Sequence, residues 1–222
     1  MSYGREREPV YWIAVRALDA FVRARFDLTI AGGANIPVRG GAVLAANHVS
    51  HLDPVVLIVA LHRLGRKVRF MSVSEAFDHP LGGWFVRAGR HIPVEPGGRN
   101  LRALRQAGEA LEAGELILLY PEGTIPTAGQ IEDAKLGVAV LATRHRVPII
   151  PLGLWGVGGD ERLPAGGARR RAALQVGVPL TLDGSCGVAE PRARRRSFEK
   201  TAATTLASIR DLVTAARERT HA

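Results

Sequence analysis

Short apolar runs alternate with amphipathic stretches along most of the chain. Runs of four to eight apolar residues bounded by Gly, Pro or charged residues are typical of buried strands. This pattern predicts strands at residues 26–30, 42–46, 68–73, 91–94, 116–120, 147–154 and 174–178. Apolar positions spaced three or four apart predict helices at residues 9–26, 55–64, 81–89, 100–114, 134–145 and 196–219. Segments 31–37 and 74–79 are predicted as a turn-rich connection and a short linker or helical turn.

Strands that alternate with helices favour an α/β fold. We therefore expect a single domain with a mixed, mostly parallel sheet flanked by helices, preceded by an N-terminal amphipathic helix. Residues 1–30 are predicted to form an amphipathic, membrane-contacting segment and residues 31–222 the main domain. The first helix combines aromatic residues with Arg16, Arg23 and Arg25, which suits a membrane interface. A helix that simply packs on its own domain is the alternative.

Composition narrows the class of partner. The formal net charge is +9 and 46% of residues are hydrophobic, which favours an anionic partner and allows a sizeable core. A single cysteine excludes an internal disulfide framework. No apolar run reaches the ~18 residues of a membrane span, and the charged N-terminus does not resemble a signal peptide. We expect a protein in the cytoplasm, free or on a membrane surface.

Candidate chemistry begins after the apolar run at 42–46, where His48 and Asp53 flank a predicted strand-to-helix turn. A turn of this length lets the carboxylate fold back onto the imidazole, fix its tautomer and leave one ring nitrogen free to accept a proton. The structural alternative is that Asp53 caps the next helix, with Pro54 at its first position. A metal site formed by His48, His51 and Asp53 is a weaker alternative, because no further ligand cluster completes it.

A second candidate is the turn Tyr120-Pro121-Glu122-Gly123-Thr124, which follows the apolar run at 116–120. If the strands are parallel, Glu122 lies at the same sheet edge as His48, where it can accept hydrogen bonds from hydroxyls, an arginine or backbone groups. An ordinary surface turn is the alternative. The chain lacks a Gly-x-Ser-x-Gly elbow, a Walker-type phosphate loop and a Gly-x-Gly-x-x-Gly fingerprint.

Together, residues 47–53, 121–124 and 147–152 strongly resemble the glycerolipid acyltransferase family, the PlsC-like lysophosphatidate acyltransferases. The resemblance runs from about residue 33 to 156. It includes Gly33-Ala34-Asn35-Ile36-Pro37 and the Lys135-x-Gly137 element. Asn47-His48 followed by Asp53 is its most specific part.

The resemblance implies transfer of a fatty acyl group from acyl-CoA or acyl-carrier protein to a hydroxyl of a lysolipid. His48 would be the general base and Asp53 its orienting partner, with no metal or cofactor. The positions expected to bind substrate are Asn47, Glu122, Gly123, Thr124, Arg99 and Lys135. The family works at membrane surfaces, so we expect a peripheral protein at the cytoplasmic side of the cell membrane, in contact with anionic lipid.

The chain departs from the family pattern at three positions expected to supply cations for an acceptor phosphate. The corresponding stretches are residues 73–77, 92–96 and 120–126, and all three positions are neutral here. Either the acceptor lacks the usual phosphate, or another cation substitutes. The candidates for substitution are Arg87, Arg90, Arg99 and Lys135.

Three other classes remain as alternatives. The basic runs at 169–171 and 192–196 would suit a nucleic-acid-binding module, but aromatic residues are only 5% of the chain and do not interleave with these runs. A lipid-binding protein without activity is disfavoured by the presence of both His48 and Asp53. A metal-dependent hydrolase is the last alternative.

Overall fold

The computed structural model describes residues 8–80, 82–95, 100–121, 131–158, 168–181 and 190–221, with backbone only for 8 and 131–135. The helices are α1 (Glu8–Arg25), α2 (Asp53–Arg63), α3 (Glu75–Asp78), α4 (Gly83–Ala88), α5 (Leu101–Glu112), α6 (Ile131–His145) and α7 (Pro191–His221). The strands are β1 (Phe26–Ala31), β2 (Ala42–Ala46), β3 (Val68–Val73), β4 (Ile92–Val94), β5 (Leu116–Leu119), β6 (Ile149–Trp155) and β7 (Arg170–Val176). A 3₁₀ turn, Gly33–Asn35, follows β1.

The strands form one sheet in the order β1-β7-β6-β2-β5-β3-β4. Strands β2 to β6 run in one direction, and β1 and β7 run in the other, because β7 pairs antiparallel with β6 and parallel with β1. This mixed, mostly parallel sheet confirms the predicted fold class. The carboxyl ends of β2, β5 and β6 and the starts of β1 and β7 therefore share one edge of the sheet, which we call the site edge.

Helices cover both faces of the sheet. In β2, Leu44 faces a core formed with α1 and α2, whereas Val43 and Ala45 face a second core formed with α5, α6 and α7. This alternation follows from the two-residue period of a strand buried on both faces. Helix α7 approaches β6 so closely that a Cβ on Gly153 would lie 2.4 Å from the Leu212 backbone.

Most predicted elements occur where the apolar pattern places them, and the differences concern their ends. β2 and β3 match their predicted bounds, while β7 starts at Arg170 and α7 at Pro191, earlier than predicted. Asn100 precedes α5 but does not cap it; its amide instead bonds the backbone N–H and carbonyl of Glu95.

The N-terminal segment is integrated into the domain. Tyr11, Val15 and Val22 of α1 are buried in the core shared with α2, and β1 pairs with β7 across the predicted boundary at residue 31. The opposite face of α1 exposes Val10, Ile13 and Phe21. None of the helices in the described part of the chain combines the length and the apolar character of a membrane-spanning segment.

Candidate active site

The site is built on the end of β2, which Asn47 secures. Its side-chain amide donates to the Leu154 carbonyl at 2.9 Å and accepts from the Leu154 N–H at 2.8 Å. These two bonds extend the pairing of β2 with β6 by one residue while the backbone turns away. Asn47 is buried, so the position of the next residue, His48, is tied to the sheet. Its predicted role in substrate binding stays a prediction.

His48 and Asp53 come together as the sequence predicts. His48 Nδ1 lies 3.0 Å from Asp53 Oδ2, and the same oxygen accepts the N–H groups of Val49 at 2.7 Å and Ser50 at 2.8 Å. Asp53 is fully buried, whereas the His48 side chain is 23% exposed. The carboxylate therefore shapes the turn and orients the imidazole, and Nε2 is the ring nitrogen left for chemistry.

Local turn bonds explain why this short loop folds back. Ser50 Oγ accepts the Leu52 N–H at 3.1 Å, and the Ser50 carbonyl accepts the Asp53 N–H at 3.0 Å. Asp53 is the first residue of α2, with Pro54 beside it. The carboxylate thus accepts N–H groups of the preceding turn. It does not cap the helix, which was the structural alternative.

Tyr120 is a site residue to which the sequence pattern assigned no role. It directly follows β5, which lies beside β2, and its ring stacks on His48 with 4.2 Å between centroids and 17° between planes. Burial raises the pKa of Tyr120 well above its usual value, and the nearby charge of Asp53 adds to the effect. The feature of the sequence that could have identified Tyr120 is its position at a strand end, immediately before Pro-Glu-Gly-Thr.

The remaining predicted site residues fall beyond what the structure describes. Glu122, Gly123, Thr124 and Arg99 lie outside the described residues, and Lys135 belongs to α6 by its backbone only. Because β2 and β5 are adjacent and parallel, Tyr120, which directly follows β5, lies at the site edge. The substrate-binding roles of these residues stay predictions.

Acidic groups occupy the neighbouring part of the site edge, after β3 and β4. Ser74 Oγ lies 3.1 Å from Glu95 Oε2 and 3.4 Å from Glu75 Oε2. Strand β5 lies between β3 and β2. Because neighbouring strands are ~4.8 Å apart, the end of β3 lies about 10 Å across the sheet from the end of β2, where the His48 turn begins. Arg87, in contrast, is directed at a carbonyl, that of Phe77.

The alternative metal site gains no further ligands in the part of the chain that the structure describes. His51 is exposed, and no group of three His, Cys, Asp or Glu side chains comes together among the described residues. The Asp53 oxygen nearest His48 already accepts bonds from two backbone N–H groups.

The part of the chain that contains this site is similar in sequence to known proteins. A model of the acyltransferase family matches residues 27–155, which contain the whole of the site described above. A 1-acyl-sn-glycerol-3-phosphate acyltransferase of Chlamydomonas reinhardtii is 31% identical over 144 residues, covering 64% of this chain and 42% of the relative. A chloroplastic 1-acyl-sn-glycerol-3-phosphate acyltransferase of Arabidopsis thaliana is 29% identical over 136 residues, covering 60% of this chain and 37% of that protein. The chain thus spans about two fifths of the length of these relatives.

A solved structure supports the fold. The crystal structure of the 1-acyl-sn-glycerophosphate acyltransferase PlsC of Thermotoga maritima superposes with a TM-score of 0.60 and 22% identity. The match covers 93% of this chain and 83% of that one. At this identity the likeness concerns the arrangement of helices and strands.

Proposed function

The chain belongs to the acyltransferase family, and we propose that it transfers a fatty acyl group from a thioester donor to a hydroxyl of a lysolipid, with His48 as general base. The observation that carries the proposal is the bond between His48 Nδ1 and the buried carboxylate of Asp53. Because this bond holds the proton on Nδ1, Nε2 is free to take the proton of an acceptor hydroxyl.

The reaction needs no covalent enzyme intermediate. As His48 Nε2 removes the hydroxyl proton, the acceptor oxygen attacks the thioester carbonyl, and the thiolate leaves with a proton returned by the imidazolium. Asp53 stabilises the imidazolium while it exists. The donor is acyl-CoA or acyl-carrier protein, and the acyl chain binds an apolar surface at about 0.8 kcal/mol per buried CH₂.

The acceptor's polar group has two candidates. A lysolipid that carries a phosphate monoester, such as lysophosphatidate, is the first and requires a cation from Arg87, Arg90, Arg99 or Lys135. The second is a lysolipid without that phosphate, and the pairing of Ser74 with Glu75 and Glu95 favours it, because carboxylates repel a phosphate.

We further propose that the protein works as a peripheral protein on an anionic membrane. The net charge of +9 and the exposed apolar face of α1 support this. A long-chain acceptor resides in a bilayer, so the protein has to reach a membrane surface to bind it. The predicted location at the cytoplasmic side of the cell membrane stays a prediction.

The test is thiol release from a long-chain acyl-CoA and from an acyl-carrier protein, measured with lysophosphatidate and with neutral and zwitterionic lysolipids. We expect acceptor-dependent release by the wild-type protein and a loss on the order of 10² to 10⁴ in rate for His48→Ala. Asp53→Asn should keep the turn partly intact and lower kcat by a similar factor.

Different outcomes decide different parts of the proposal. A preference for lysophosphatidate would reject the second acceptor, and a preference for a neutral lysolipid would reject the first. Equal rates for His48→Ala and wild type would reject the general base. No release with either donor and any acceptor would reject acyl transfer to lysolipids.

A further inference from the structure

Two buried polar atoms in the site have no hydrogen-bond partner among the described residues. One is Asp53 Oδ1, the carboxylate oxygen that faces away from His48, and the other is the hydroxyl oxygen of Tyr120. Buried polar groups nearly always have a hydrogen-bond partner, because an unpaired one loses its bonds to water and gains none in the protein. Two such atoms in one small site therefore call for a common explanation.

The two atoms are chemically complementary. An ionised carboxylate oxygen accepts hydrogen bonds only, whereas a phenol can donate one. The other oxygen of Asp53 already accepts from His48 and from the N–H groups of Val49 and Ser50. Oδ1 is thus the part of the carboxylate still open to a donor.

The ring of Tyr120 is already held against the pair. It lies flat on His48, with 4.2 Å between centroids, and it also contacts the ring of Phe70, with 6.3 Å between centroids. The pKa of Tyr120 is raised by burial and by the charge of Asp53, so the phenol stays protonated and close enough to sense that carboxylate.

We propose that Tyr120 is a positioning residue of the site, whose hydroxyl donates a hydrogen bond to Asp53 Oδ1, directly or through one bound water, while its ring restrains the His48 imidazole. A single water with these two partners and a backbone group is an arrangement common in protein interiors. Both the direct and the water-mediated bond give Asp53 a donor on each oxygen.

The proposal has a specific consequence for the reaction, and it takes the general-base role of His48 from the proposed function. A hydrogen bond to a carboxylate lowers its affinity for a proton. Removing the hydroxyl should make the His48–Asp53 pair take up a proton at higher pH. The acid limb of the plot of rate against pH then moves to higher pH, and the protonated, inactive form of the pair persists over a wider pH range.

Tyr120→Phe separates the hydroxyl from the ring, because it keeps the stacked ring and deletes one oxygen. We expect the acid limb of the kcat profile to move up by about one pH unit, a tenfold change in proton affinity. KM for both substrates should stay unchanged. Tyr120→Leu, which also removes the stacking, should lower kcat further at the pH optimum.

Tyr11→Phe is the matched control. Tyr11 is a buried tyrosine of α1 that stacks on Phe85, and burial raises its pKa to about 12. It lies outside the site, so its variant should keep the wild-type pH profile. A Tyr120→Phe profile that coincides with those of wild type and Tyr11→Phe would overturn the proposal.

A second measurement is independent of acyl transfer. In protein labelled with ¹⁵N-histidine, the ring signals that disappear in His48→Ala report His48 directly, without substrate. We expect their titration in Tyr120→Phe to shift upward by the same amount as the acid limb. An unchanged titration would reject the role of Tyr120, whereas a shifted titration in a protein without transferase activity would reject only the proposed function.

Discussion

At the scale of single residues, two histidines of this chain have opposite environments. His48 is partly exposed and bonded to a carboxylate, which suits proton transfer. His91 is buried between Phe70 and Phe85, and its Nδ1 accepts the Phe70 N–H at 2.9 Å. Burial, together with the charges of Lys67 and Arg69, lowers the pKa of His91 to about 3. His91 is thus a neutral hydrogen-bond acceptor for the backbone of β3.

We expect His91 to make folding sensitive to acid. Between pH 6.5 and about 3, the unfolded chain binds a proton that the folded protein excludes, so the free energy of unfolding falls as the pH falls. From pH 7.5 to 5.5 this one residue should contribute a loss of about 1 kcal/mol. Urea unfolding at both pH values measures it.

His91→Gln is the appropriate comparison, because the amide oxygen can still accept the Phe70 N–H without taking up a proton. The variant should lose less stability than wild type over the same pH interval, by about 1 kcal/mol. Parallel stability curves for the two proteins would show that His91 can be protonated within the fold.

The contact between His48 and Asp53 was predictable from the sequence, and the neighbouring Tyr120 was not. His48 and Asp53 are close along the chain, so a local turn suffices to bring them together. Tyr120 reaches His48 only because β5 lies beside β2 in the sheet, and strand order is not encoded in a local pattern. Within its own run, Tyr120 resembles any other apolar residue of a buried strand.

At the scale of elements, the position of the site depends on how β3 and β5 are held beside β2. Arg69 at the second position of β3 forms a two-pronged ion pair with Glu115, immediately before β5. Arg69 is buried, and its pair fixes the register of the two strands at the edge opposite the site. Removing Glu115 would leave the buried Arg69 guanidinium without its ion-pair partner and with little access to water.

Glu115→Ala should therefore destabilise the protein by about 2 to 3 kcal/mol. The matched control is Glu109→Ala on α5, where Glu109 pairs with Arg105 at 3.9 Å and both side chains are exposed. That variant should change stability by less than about 0.5 kcal/mol. Chemical denaturation of the two variants compares them, and equal losses would contradict a special role for Arg69.

The ends of strands show where the sequence pattern fails to predict the bounds of an element. β2 is apolar throughout and flanked by Gly41 and Asn47, so its bounds match the prediction. β7 begins with Arg170 and Arg171, which the sequence indicates as a solvent-exposed basic run. These arginines belong to a strand because β1 supplies a partner along this stretch, with Phe26 opposite Arg170 and Asp27 opposite Arg171. Only the tertiary pairing identifies this part of the strand.

At the scale of the whole molecule, the two edges of the sheet carry different surfaces. The site edge bears the exposed side chains of Val49 beside His48 and Trp155 at the end of β6. The C-terminal part of α1 leads into β1 at this edge and adds the exposed side chains of Phe21 and Arg23. The start of β7 contributes cations at 169–171. Aromatic and cationic groups around the candidate site suit contact with a lipid headgroup region.

The opposite edge has a simpler surface. It exposes Val38 before β2 and Val178 after β7. Helix α7 runs from this side towards the site edge, as Arg217 lies over Trp155 and Arg171 bonds the Thr220 carbonyl. Its exposed basic turns at 192–196 therefore lie towards the opposite edge, where no aromatic side chain among the described residues is exposed with them.

This difference predicts that the site edge faces the proposed anionic membrane. In sedimentation with vesicles of phosphatidylglycerol and phosphatidylcholine, the double variant Phe21→Ser/Val49→Ser should bind about 10- to 100-fold more weakly than wild type, because two exposed apolar side chains of the site edge lose their burial in lipid. The controls at the opposite edge are Val38→Ser/Val178→Ser for apolar area and Arg194→Gln/Arg196→Gln for charge. If these controls weaken binding and the site-edge variant does not, the opposite edge faces the vesicle. That result would contradict the predicted orientation, because an acceptor in the bilayer could not reach His48 from that side.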